Sequence, residues 1–372
     1  MCPNVLIHMN NPQKSKIPQR QAAVIILAAG KSTRMKTELP KVMHELCGRP
    51  MLSYVFGACR SAGLDRFHVV VGFAKDAIIR HFSNEPGVTF VEQVEQKGTA
   101  HAVSMCADKL KGFVGDVIVI AGDMPMIRAE TLSALLQCHR AAAAKASIAT
   151  TFLDDPTGYG RIVRGSSGEF EKIVEHRDCT PQQLEIKEVN PSYYCFDAAT
   201  LLSALPKVQP NNAKGEYYIT DLLEIIRADG GTVLASTQVP AVDAVGINSR
   251  VDLAEVAKLM QRRIQNGWME QGVTIVDPDS TWIDSRAQVG HDCEIKPFSY
   301  IEGNARIGAR CIVGPYAYVG DGAIVEDDSI VGPGILSAID TAATGRKSTS
   351  TISRRPTSVL RQPPIASERA GT

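Results

Sequence analysis

Small and basic residues follow the first strongly apolar run of the chain and offer a place to bind a phosphate. The run covers residues 24–27, and the small and cationic residues come shortly after it: Ala28, Ala29, Gly30, Lys31, Arg34 and Lys41. Backbone N–H groups that small side chains leave uncovered bind phosphate oxygens, and nearby cations can neutralise a pyrophosphate leaving group. The alternative is an ordinary turn with solvated basic side chains.

Two better known phosphate-binding motifs are excluded at this place. Gly30-Lys31-Ser32 resembles the end of a P-loop, but that motif requires a glycine at position 25, where the chain has Ile25. No GxGxxG pattern follows the strand either, so the sequence does not predict a dinucleotide fingerprint.

A second candidate follows another apolar run, residues 117–120, which leads into Gly122-Asp123-Met124-Pro125. An acid at the carboxyl end of a buried parallel strand lies where α/β proteins bind their ligands. Aspartate at a strand end can also be a turn former or a helix cap, so this motif alone leaves both interpretations open.

These motifs belong to a stretch, from Ala22 to about Val245, in which short apolar strands alternate with amphipathic helices. This alternation predicts an α/β fold with a mostly parallel sheet, Rossmann-like in architecture. A break in the rhythm predicts a β-hairpin of Arg161–Val163 and Phe170–Val174 over the ligand edge of the sheet. The predicted strands are Val24–Leu27, Phe67–Val71, Val88–Val91, Val117–Ile120 and Ser147–Phe152, with helices over Thr99–Leu110 and Ala129–Arg140.

The second half of the chain has other periods. An apolar stripe predicts one linker helix over 251–272, and its members are Leu253, Val256, Met260, Ile264 and Trp268. Beyond it, aliphatic residues recur every sixth position: Ile283, Val289, Ile295, Ile301, Ile307, Val313, Val319, Val325 and Val331. A six-residue period gives one side of a triangular coil, so 273–334 is predicted to be a short left-handed hexapeptide β-helix of about three coils.

The chain ends and the composition limit the remaining possibilities. Residues 1–20 are predicted to be a flexible leader and 335–372 a disordered tail, which leaves 21–250 as the main domain. The 372 residues carry 40 basic and 40 acidic side chains, so no nucleic-acid partner is indicated. The nine scattered cysteines and the short apolar runs near the start predict a cytoplasmic protein that does not enter a membrane.

Residues 22–250 resemble the uridylyltransferase domain of the bifunctional N-acetylglucosamine-1-phosphate uridylyltransferases. The resemblance rests on sequence blocks in the same order: LAAGKSTRM at 27–35, LPKVMH at 39–44, QVEQKGTAHA at 93–102, GDMP at 122–125, DDPTGYGRI at 154–162, KIVEHRD at 172–178, NNAKGEYYITD at 211–221 and VGINSR at 245–250. The first block marks only the broad nucleotidyltransferase superfamily, whose fold is GT-A-like, whereas the later blocks are specific.

The resemblance implies a function and a site. The reaction would transfer UMP from UTP to N-acetylglucosamine 1-phosphate in the synthesis of cell-wall precursors, with Mg²⁺ as cofactor. The implied nucleotide site consists of Leu27, Ala28, Ala29, Gly30, Lys41, Gln93, Gly98 and Thr99, the last three against uracil. Arg34 and Lys41 would contact the phosphates and act in catalysis. The implied substrate-binding residues are Gly122, Asp123, Gly160, Glu175, Asn190 and Asn248, of which Asp123 and Asn248 would hold Mg²⁺.

The chemistry agrees with this set. A hard cation takes oxygen ligands and completes its shell with phosphate oxygens and water, which one aspartate and one asparagine allow. A phosphate monoester is already a nucleophile, so no Ser–His or Cys–His pair is required, and none is apparent from the sequence. What remains for the protein is alignment of the two substrates and neutralisation of charge.

Departures from the family pattern leave alternatives open. Pro191-Ser192 stands where Thr-Gly is usual beside the sugar-binding Asn190, Ala121 replaces a tyrosine, and Ser32 stands where glycine is frequent. The protein could therefore be a pyrophosphorylase for another sugar 1-phosphate or pyrimidine nucleotide. A different class is a non-catalytic sensor or scaffold that binds the ligand without turnover.

The short aliphatic ladder leads to two further expectations. Bifunctional relatives place an acetyltransferase on many more coils, and here the ladder ends at Val331 with His291 the only histidine in the segment. We expect no acetyltransferase activity from this chain, and a β-helix that serves for assembly, in the form of a homotrimer.

Overall fold

The computed structural model describes residues 20–31, 33–237, 239–336 and 352–354. The predicted leader lies outside these residues except for Arg20, and so does most of the predicted tail. The described chain divides into two units. The first comprises the residues before Glu45 together with Met51–Arg250, and the second comprises Glu45–Pro50 together with the residues from Val251 onward.

The secondary structure before residue 238 alternates as the sequence predicted. The strands are β1 Gln21–Ala28, β2 Glu45–Leu46, β3 Arg49–Pro50, β4 Phe67–Val71, β5 Val88–Glu92, β6 Gly115–Ala121, β7 Ala146–Phe152, β8 Gly160–Arg164, β9 Phe170–Val174, β10 Glu188–Asp197 and β11 Val233–Thr237. The helices are α1 Met51–Ser61, α2 Lys75–His81, α3 Thr99–Ser104, α4 Ala107–Leu110, α5 Ala129–Ala141, α6 Pro181–Leu184, α7 Ala198–Ala204 and α8 Asp221–Ala228. The single helix predicted over Thr99–Leu110 is thus two short helices.

A sheet in the order β11-β7-β10-β6-β1-β4-β5 forms the frame of the first unit. Strand β1 lies between β4 and β6 and is parallel to both. Its central residues are fully buried and alternate between two apolar clusters, with Ile25 in one and Val24 and Ile26 in the other. Burial on both faces explains why these strands are continuous apolar runs. The predicted α/β fold with a mostly parallel sheet is confirmed.

Strand β10 is the longest of the strands that the sequence analysis did not predict. It is antiparallel to both β6 and β7, and its register against β7 shifts between Val189 and Tyr193. Pro191 lies in that irregularity, where a residue without an N–H group breaks no ladder hydrogen bond. The predicted hairpin is confirmed as β8 and β9, and β8 pairs in turn with β10.

Helix α9 Arg250–Glu270, which belongs to the second unit from Val251 onward, precedes the hexapeptide segment. Val256 and Met260 of the predicted stripe are buried, and Ile264 and Trp268 pack against the apolar interior of the repeats. The short hairpin of β2 and β3 also belongs to this unit, where the backbone N–H of Ser285 donates to the carbonyl of Cys47. The unit boundary therefore differs at Glu45–Pro50 from the continuous 21–250 domain of the prediction.

The repeats form a parallel β-helix. The strands are β12 Thr274–Ile275, β13 Trp282–Ile283, β14 Gln288–Val289, β15 Glu294–Ile295, β16 Tyr300–Ile301, β17 Arg306–Ile307, β18 Ile312–Val313, β19 Ala317–Val319, β20 Ile324–Val325, β21 Ser329–Val331 and β22 Gly334–Leu336. Each strand pairs with the strand three repeats away, as Ile283 with Ile301 and Ile301 with Val319. All nine aliphatic residues of the predicted ladder are buried, so the triangular coil is confirmed.

Within the predicted disordered tail, the five described residues differ from that prediction, because Ile335 and Leu336 end strand β22 and three more residues form another strand. Strand β23 Ile352–Arg354 pairs antiparallel with β21. The last coil otherwise presents the unpaired N–H and C=O groups of β21, and an added strand satisfies them. No helix in the described parts of the chain is both long and apolar enough to cross a membrane.

Candidate functional site

A cavity of about 390 Å³ opens at the carboxyl ends of β1 and β6, the place where α/β sheets bind ligands. Nine of the residues predicted to bind nucleotide or metal line it: Leu27, Ala28, Ala29, Gly30, Lys41, Gln93, Gly98, Thr99 and Asp123. These residues come from segments far apart in the chain, and the sheet brings them together because β1 and β6 are neighbours.

The end of β1 forms one wall of the cavity. The carbonyl of Leu27 accepts the N–H of Gly122, and the carbonyl of Ala29 accepts the N–H of Phe73. These bonds fix the backbone that leads into the loop at Gly30. At the rim, the Lys31 ammonium lies 4.9 Å from the centre of the Phe73 ring, a cation–π contact.

A lysine joins the two residues predicted to hold a metal ion. Lys41 begins a 3₁₀-helix, Lys41–Met43, and its ammonium forms an ion pair with the Asp123 carboxylate. The same ammonium donates to Asn248 Oδ1 over 3.0 Å. A backbone bond from the Ile247 N–H to the Asp123 carbonyl, 3.1 Å long, holds the two acceptor residues side by side. Two side-chain oxygens thus converge on one cation position.

This donor set suits a hard divalent cation. A carboxylate and an amide oxygen are both ligands of the kind that Mg²⁺ takes, and two protein ligands leave room for phosphate oxygens and water. The described residues contain no cluster of three or more His, Cys, Asp or Glu side chains that could enclose a metal ion alone. An ion at Asp123 and Asn248 would therefore be shared with a bound ligand.

At the other end of the cavity, Gln93 is 3% exposed, and its side chain ends in an amide. Its nitrogen donates to the carbonyl of Gly98 over 3.1 Å and lies 2.9 Å from Nδ1 of His101. Gly98 precedes helix α3 and is held against Tyr217, whose backbone N–H donates to Lys97 and whose carbonyl accepts from Ala100. The Gln93 carboxamide is therefore held by its nitrogen.

The residues predicted to bind the sugar form a second group beside the cavity. Gly160 pairs with Asn190 between β8 and β10, and a Cβ atom on Gly160 would lie 3.6 Å from each carboxylate oxygen of Glu175. The amide of Asn190 donates to the Tyr194 hydroxyl over 2.6 Å and accepts from the Ser192 N–H over 2.7 Å. Since Ser192 and Tyr194 line the cavity, the group is connected to it directly.

Acidic side chains concentrate near this second group. Burial raises the pKa of the Glu175 carboxyl, with Lys214 opposing the shift and Asp178 adding to it. Burial and the neighbouring acids likewise raise the pKa of Asp221 to about 6. A neutral carboxyl can donate a hydrogen bond to a hydroxyl or carbonyl oxygen, as well as accept one.

Not every predicted residue lies in the cavity wall. Arg34 is exposed on the 3₁₀-helix Thr33–Met35, and Gly122 lies just outside the lining, where its N–H bonds to Leu27. The lining also contains Lys31, one of the cations that the sequence analysis placed at the phosphate loop, and Ala121 and Ser192, which it noted only as departures from the family pattern. Sequence reasoning missed seven further lining residues: Val42, Gln96, Ala102, Val119, Tyr194, Glu216 and Ile219. Glu216 and Ile219 lie in the block NNAKGEYYITD, which is the signal in the sequence that points to them.

The departure at Ser192 has a backbone explanation. Ser192 has a φ of 66°, in the left-handed region that favours glycine. The Asn190 side chain, which accepts the Ser192 N–H, supports this conformation. Serine therefore keeps the chain path that a glycine would take and adds a hydroxyl to the cavity wall.

A Ser–His pair that the sequence did not reveal lies at the opposite end of the sheet. Nδ1 of His139 is 2.8 Å from the Ser147 hydroxyl, and its Nε2 is 3.7 Å from Asp116, at the start of β6. His139 and Ser147 are each 1% exposed. Because no substrate reaches a pair so enclosed, we assign it to the core, where burial lowers the pKa of His139.

Two models of known protein families match this chain. The family model described as the MobA-like NTP transferase domain matches residues 24–209. The model described as bacterial transferase hexapeptide (six repeats) matches residues 286–321. Both matches agree with the two folds described above.

Curated relatives are named bifunctional protein GlmU. That of Geobacillus thermodenitrificans is 47% identical over 274 residues, covering 73% of this chain and 59% of the relative. The relative from Pelotomaculum thermopropionicum is 46% identical over 277 residues, covering 74% and 60%. That of Geobacter metallireducens is 44% identical over 275 residues, covering 74% and 58%. The resemblance that the motifs indicated is thus confirmed, and the chain spans about three fifths of the length of these relatives.

The close approach at Gly98 generates a stability prediction. Gly98 has a φ of 113°, and a Cβ atom there would lie 2.4 Å from the carbonyl oxygen of Tyr217. Gly98→Ala should therefore destabilise the protein by about 2–4 kcal/mol, from backbone strain and the clash together.

The matched control is Gly158→Ala. Gly158 also has a positive φ, 86°, but a Cβ atom added there would meet no other atom within 4 Å. It should lose only about 1 kcal/mol. Urea denaturation of both variants measures the difference, and equal losses would show that the contact with Tyr217 is not tight.

Proposed function

The chain belongs to the family of MobA-like NTP transferase domains, and we propose that it transfers UMP from UTP to N-acetylglucosamine 1-phosphate. The products are UDP-N-acetylglucosamine and pyrophosphate. The observation that supports this most is the convergence of Lys41, Asp123 and Asn248 at the end of a cavity whose other end presents the Gln93 amide. A cytoplasmic reaction is proposed, since UTP is a cytoplasmic metabolite.

The reaction needs alignment more than it needs a protein nucleophile. An oxygen of the sugar 1-phosphate attacks the α-phosphorus of UTP, the bond from that phosphorus to the bridging oxygen breaks, and pyrophosphate leaves. We assign the loop of Ala28, Ala29 and Gly30 to the triphosphate, and Lys41 and Arg34 to the charge of the leaving group. Gly160, Glu175 and Asn190 are assigned to the sugar. Holding both substrates in line removes a large part of the activation free energy of the transfer.

The metal belongs to the same proposal. Nucleotidyltransferases of the GlmU type generally use a divalent metal ion, and we propose Mg²⁺ at Asp123 and Asn248 because both donors are oxygens. When bound, the ion would offset negative charge on the phosphates. Binding of the ion would also change the role of Lys41, because its ammonium and the metal ion compete for the same two oxygens, those of Asp123 and Asn248.

A panel assay tests the activity. Pyrophosphate release should be highest with UTP, N-acetylglucosamine 1-phosphate and Mg²⁺, and should stop when the metal is chelated. Asp123→Asn keeps the size of the side chain but removes its charge, so kcat should fall by at least about a hundredfold.

Other outcomes of the panel favour the alternatives. Highest turnover with another sugar 1-phosphate or with CTP would replace the proposed substrates. UTP binding without pyrophosphate release in the presence of any acceptor would favour a sensor or scaffold. Near wild-type turnover of Asp123→Asn would contradict the metal assignment.

Competition at the cation position leads to a further prediction. Lys41→Met removes the ammonium from between Asp123 and Asn248, so Mn²⁺ should bind the nucleotide-free protein about tenfold more tightly. The same variant should lose about 10²–10³ in kcat, because the charge that acts on the phosphates is gone. Electron paramagnetic resonance of free Mn²⁺ measures the first effect without any turnover.

The matched control is Lys31→Met, in the same cavity. The Lys31 ammonium lies on the Phe73 ring rather than between the two oxygens, so Mn²⁺ affinity should change by less than about twofold. Unchanged or weaker Mn²⁺ binding in Lys41→Met would show that the ammonium does not compete for the metal position.

Hexapeptide repeats are compatible with oligomerisation, and we propose a homotrimer through the β-helix. The support is a ladder of outward-facing aromatic rings on strands β13, β16 and β19. Trp282 stacks on Tyr300 at 6.1 Å, and Tyr300 stacks on Tyr318 at 5.6 Å between ring centres. An exposed row of rings is typical of a contact surface, and a three-fold assembly could cover it in every copy.

Sedimentation velocity tests the assembly. The wild type should sediment at three times the mass of the chain, and Tyr300→Arg should shift it to the monomer because a charge would be buried in the contact. Ile324→Arg is the control, since Ile324 is 57% exposed on another strand row of the same β-helix. A monomeric wild type, or equal effects of both variants, would rule out this surface.

A further inference from the structure

The Gln93 amide has only one polar atom left for a ligand. Its nitrogen lies within hydrogen-bond distance of the Gly98 carbonyl and of Nδ1 of His101. A backbone carbonyl can only accept, so the atom that faces it must be the NH₂ group. Both amide protons are then committed, and no bond to Gln93 Oε1 occurs among the described residues.

The same carbonyl decides the proton position on His101. The NH₂ group of Gln93 donates to Nδ1 of His101, so Nδ1 must be the acceptor nitrogen of a neutral ring and the proton lies on Nε2. The ring is held by its surroundings: it lies in the first turn of α3, tilted against Tyr217 with 6.4 Å between ring centres. One backbone carbonyl therefore fixes the orientation of a glutamine, and through it the tautomer of a histidine.

The opposite orientation of the amide is unfavourable for two reasons. If the Gln93 amide turned over, Oε1 would face the Gly98 carbonyl, which can only accept, and it would also face the lone pair of His101 Nδ1 unless the ring moved its proton from Nε2 to Nδ1. Without the His101 ring, only the Gly98 carbonyl would oppose that turn, and one buried amide proton would lose its partner. The Gly98 carbonyl supplies one constraint on the orientation of the Gln93 amide, and the His101 ring supplies a second.

Uracil and cytosine differ at the edge that such an oxygen would meet. Uracil presents an N–H donor at N3, whereas cytosine presents a lone pair there and an amino group beside it. An acceptor that cannot turn matches the N3–H of uracil and repels the N3 of cytosine.

We propose that His101 is a positioning residue that selects a pyrimidine with an imide N–H, by locking the Gln93 oxygen toward the base. This inference rests on the proposed function, since it places the base at Gln93. It goes beyond that function in naming what enforces the choice of base, and it involves a residue that does not line the main cavity.

Equilibrium binding tests the inference without turnover. Titration calorimetry in Mg²⁺ gives the affinities for UTP and CTP and their ratio. The wild type should prefer UTP. His101→Phe keeps a ring of similar size without an acceptor, so the ratio should fall by about tenfold, which corresponds to the loss of about one hydrogen bond.

His101→Asn is the matched rescue variant. The asparagine oxygen can occupy the place of Nδ1, so this variant should retain the UTP preference to within about twofold. His101→Gln sets its amide farther along the side chain and should behave like His101→Phe, which provides a second test if one variant folds poorly. Melting temperatures check that each variant is folded.

The outcomes separate this inference from the proposed function. An unchanged ratio in folded His101→Phe and His101→Gln would overturn the inference, and so would a wild type that binds UTP and CTP equally. Selective UTP binding that depends on His101, without turnover of any sugar phosphate, would uphold the inference and overturn the proposed function. Failure to bind either nucleotide would overturn both.

Discussion

The site depends on bringing two side-chain oxygens, from Asp123 and Asn248, and the Lys41 ammonium to a single point. Lys41, Asp123 and Asn248 are remote in the chain, and no local element could place them together. Asp123 follows β6, and the backbone bond from Ile247 to Asp123 sets Asn248 beside it. The ammonium balances the carboxylate and holds the two oxygens at one point. Preorganisation of this kind lowers the cost of binding, because the donors need not be ordered again.

The parallel pairing of β1 with β6 makes that convergence possible. Both strands end at the same edge of the sheet, and the bond from Gly122 to the Leu27 carbonyl ties their ends together. The small-residue loop and the acid therefore share one wall. At the far end of the cavity, the backbone of Gly98, crowded by Tyr217, plays the corresponding part, since its carbonyl determines how Gln93 is oriented. In both places the backbone sets the geometry and the side chains supply the chemistry.

Sequence reasoning succeeded where one periodicity governs a whole element. The strands around β1 are buried on both faces and read as apolar runs, and the ladder from Ile283 to Val331 repeats because each coil has the same three sides. It failed at β10, where Pro191 and the left-handed Ser192 interrupt the pattern and only the neighbouring strands define the register. Tertiary pairing there outweighs the local signal.

The residues that line the cavity also divide into those that the sequence could predict and those that it could not. Residues at strand ends, such as Asp123, could be predicted because topology fixes where a parallel strand ends. Tyr194 and Ser192 could not, because they lie on the unpredicted strand, and the role of His101 depends on a contact with Gln93 that becomes visible only when the Gly98 carbonyl is in place. A motif gives the types of residue that a reaction needs. The orientation of an amide, and with it the difference between accepting and donating toward a base, is determined by hydrogen bonds that exist only in the folded chain.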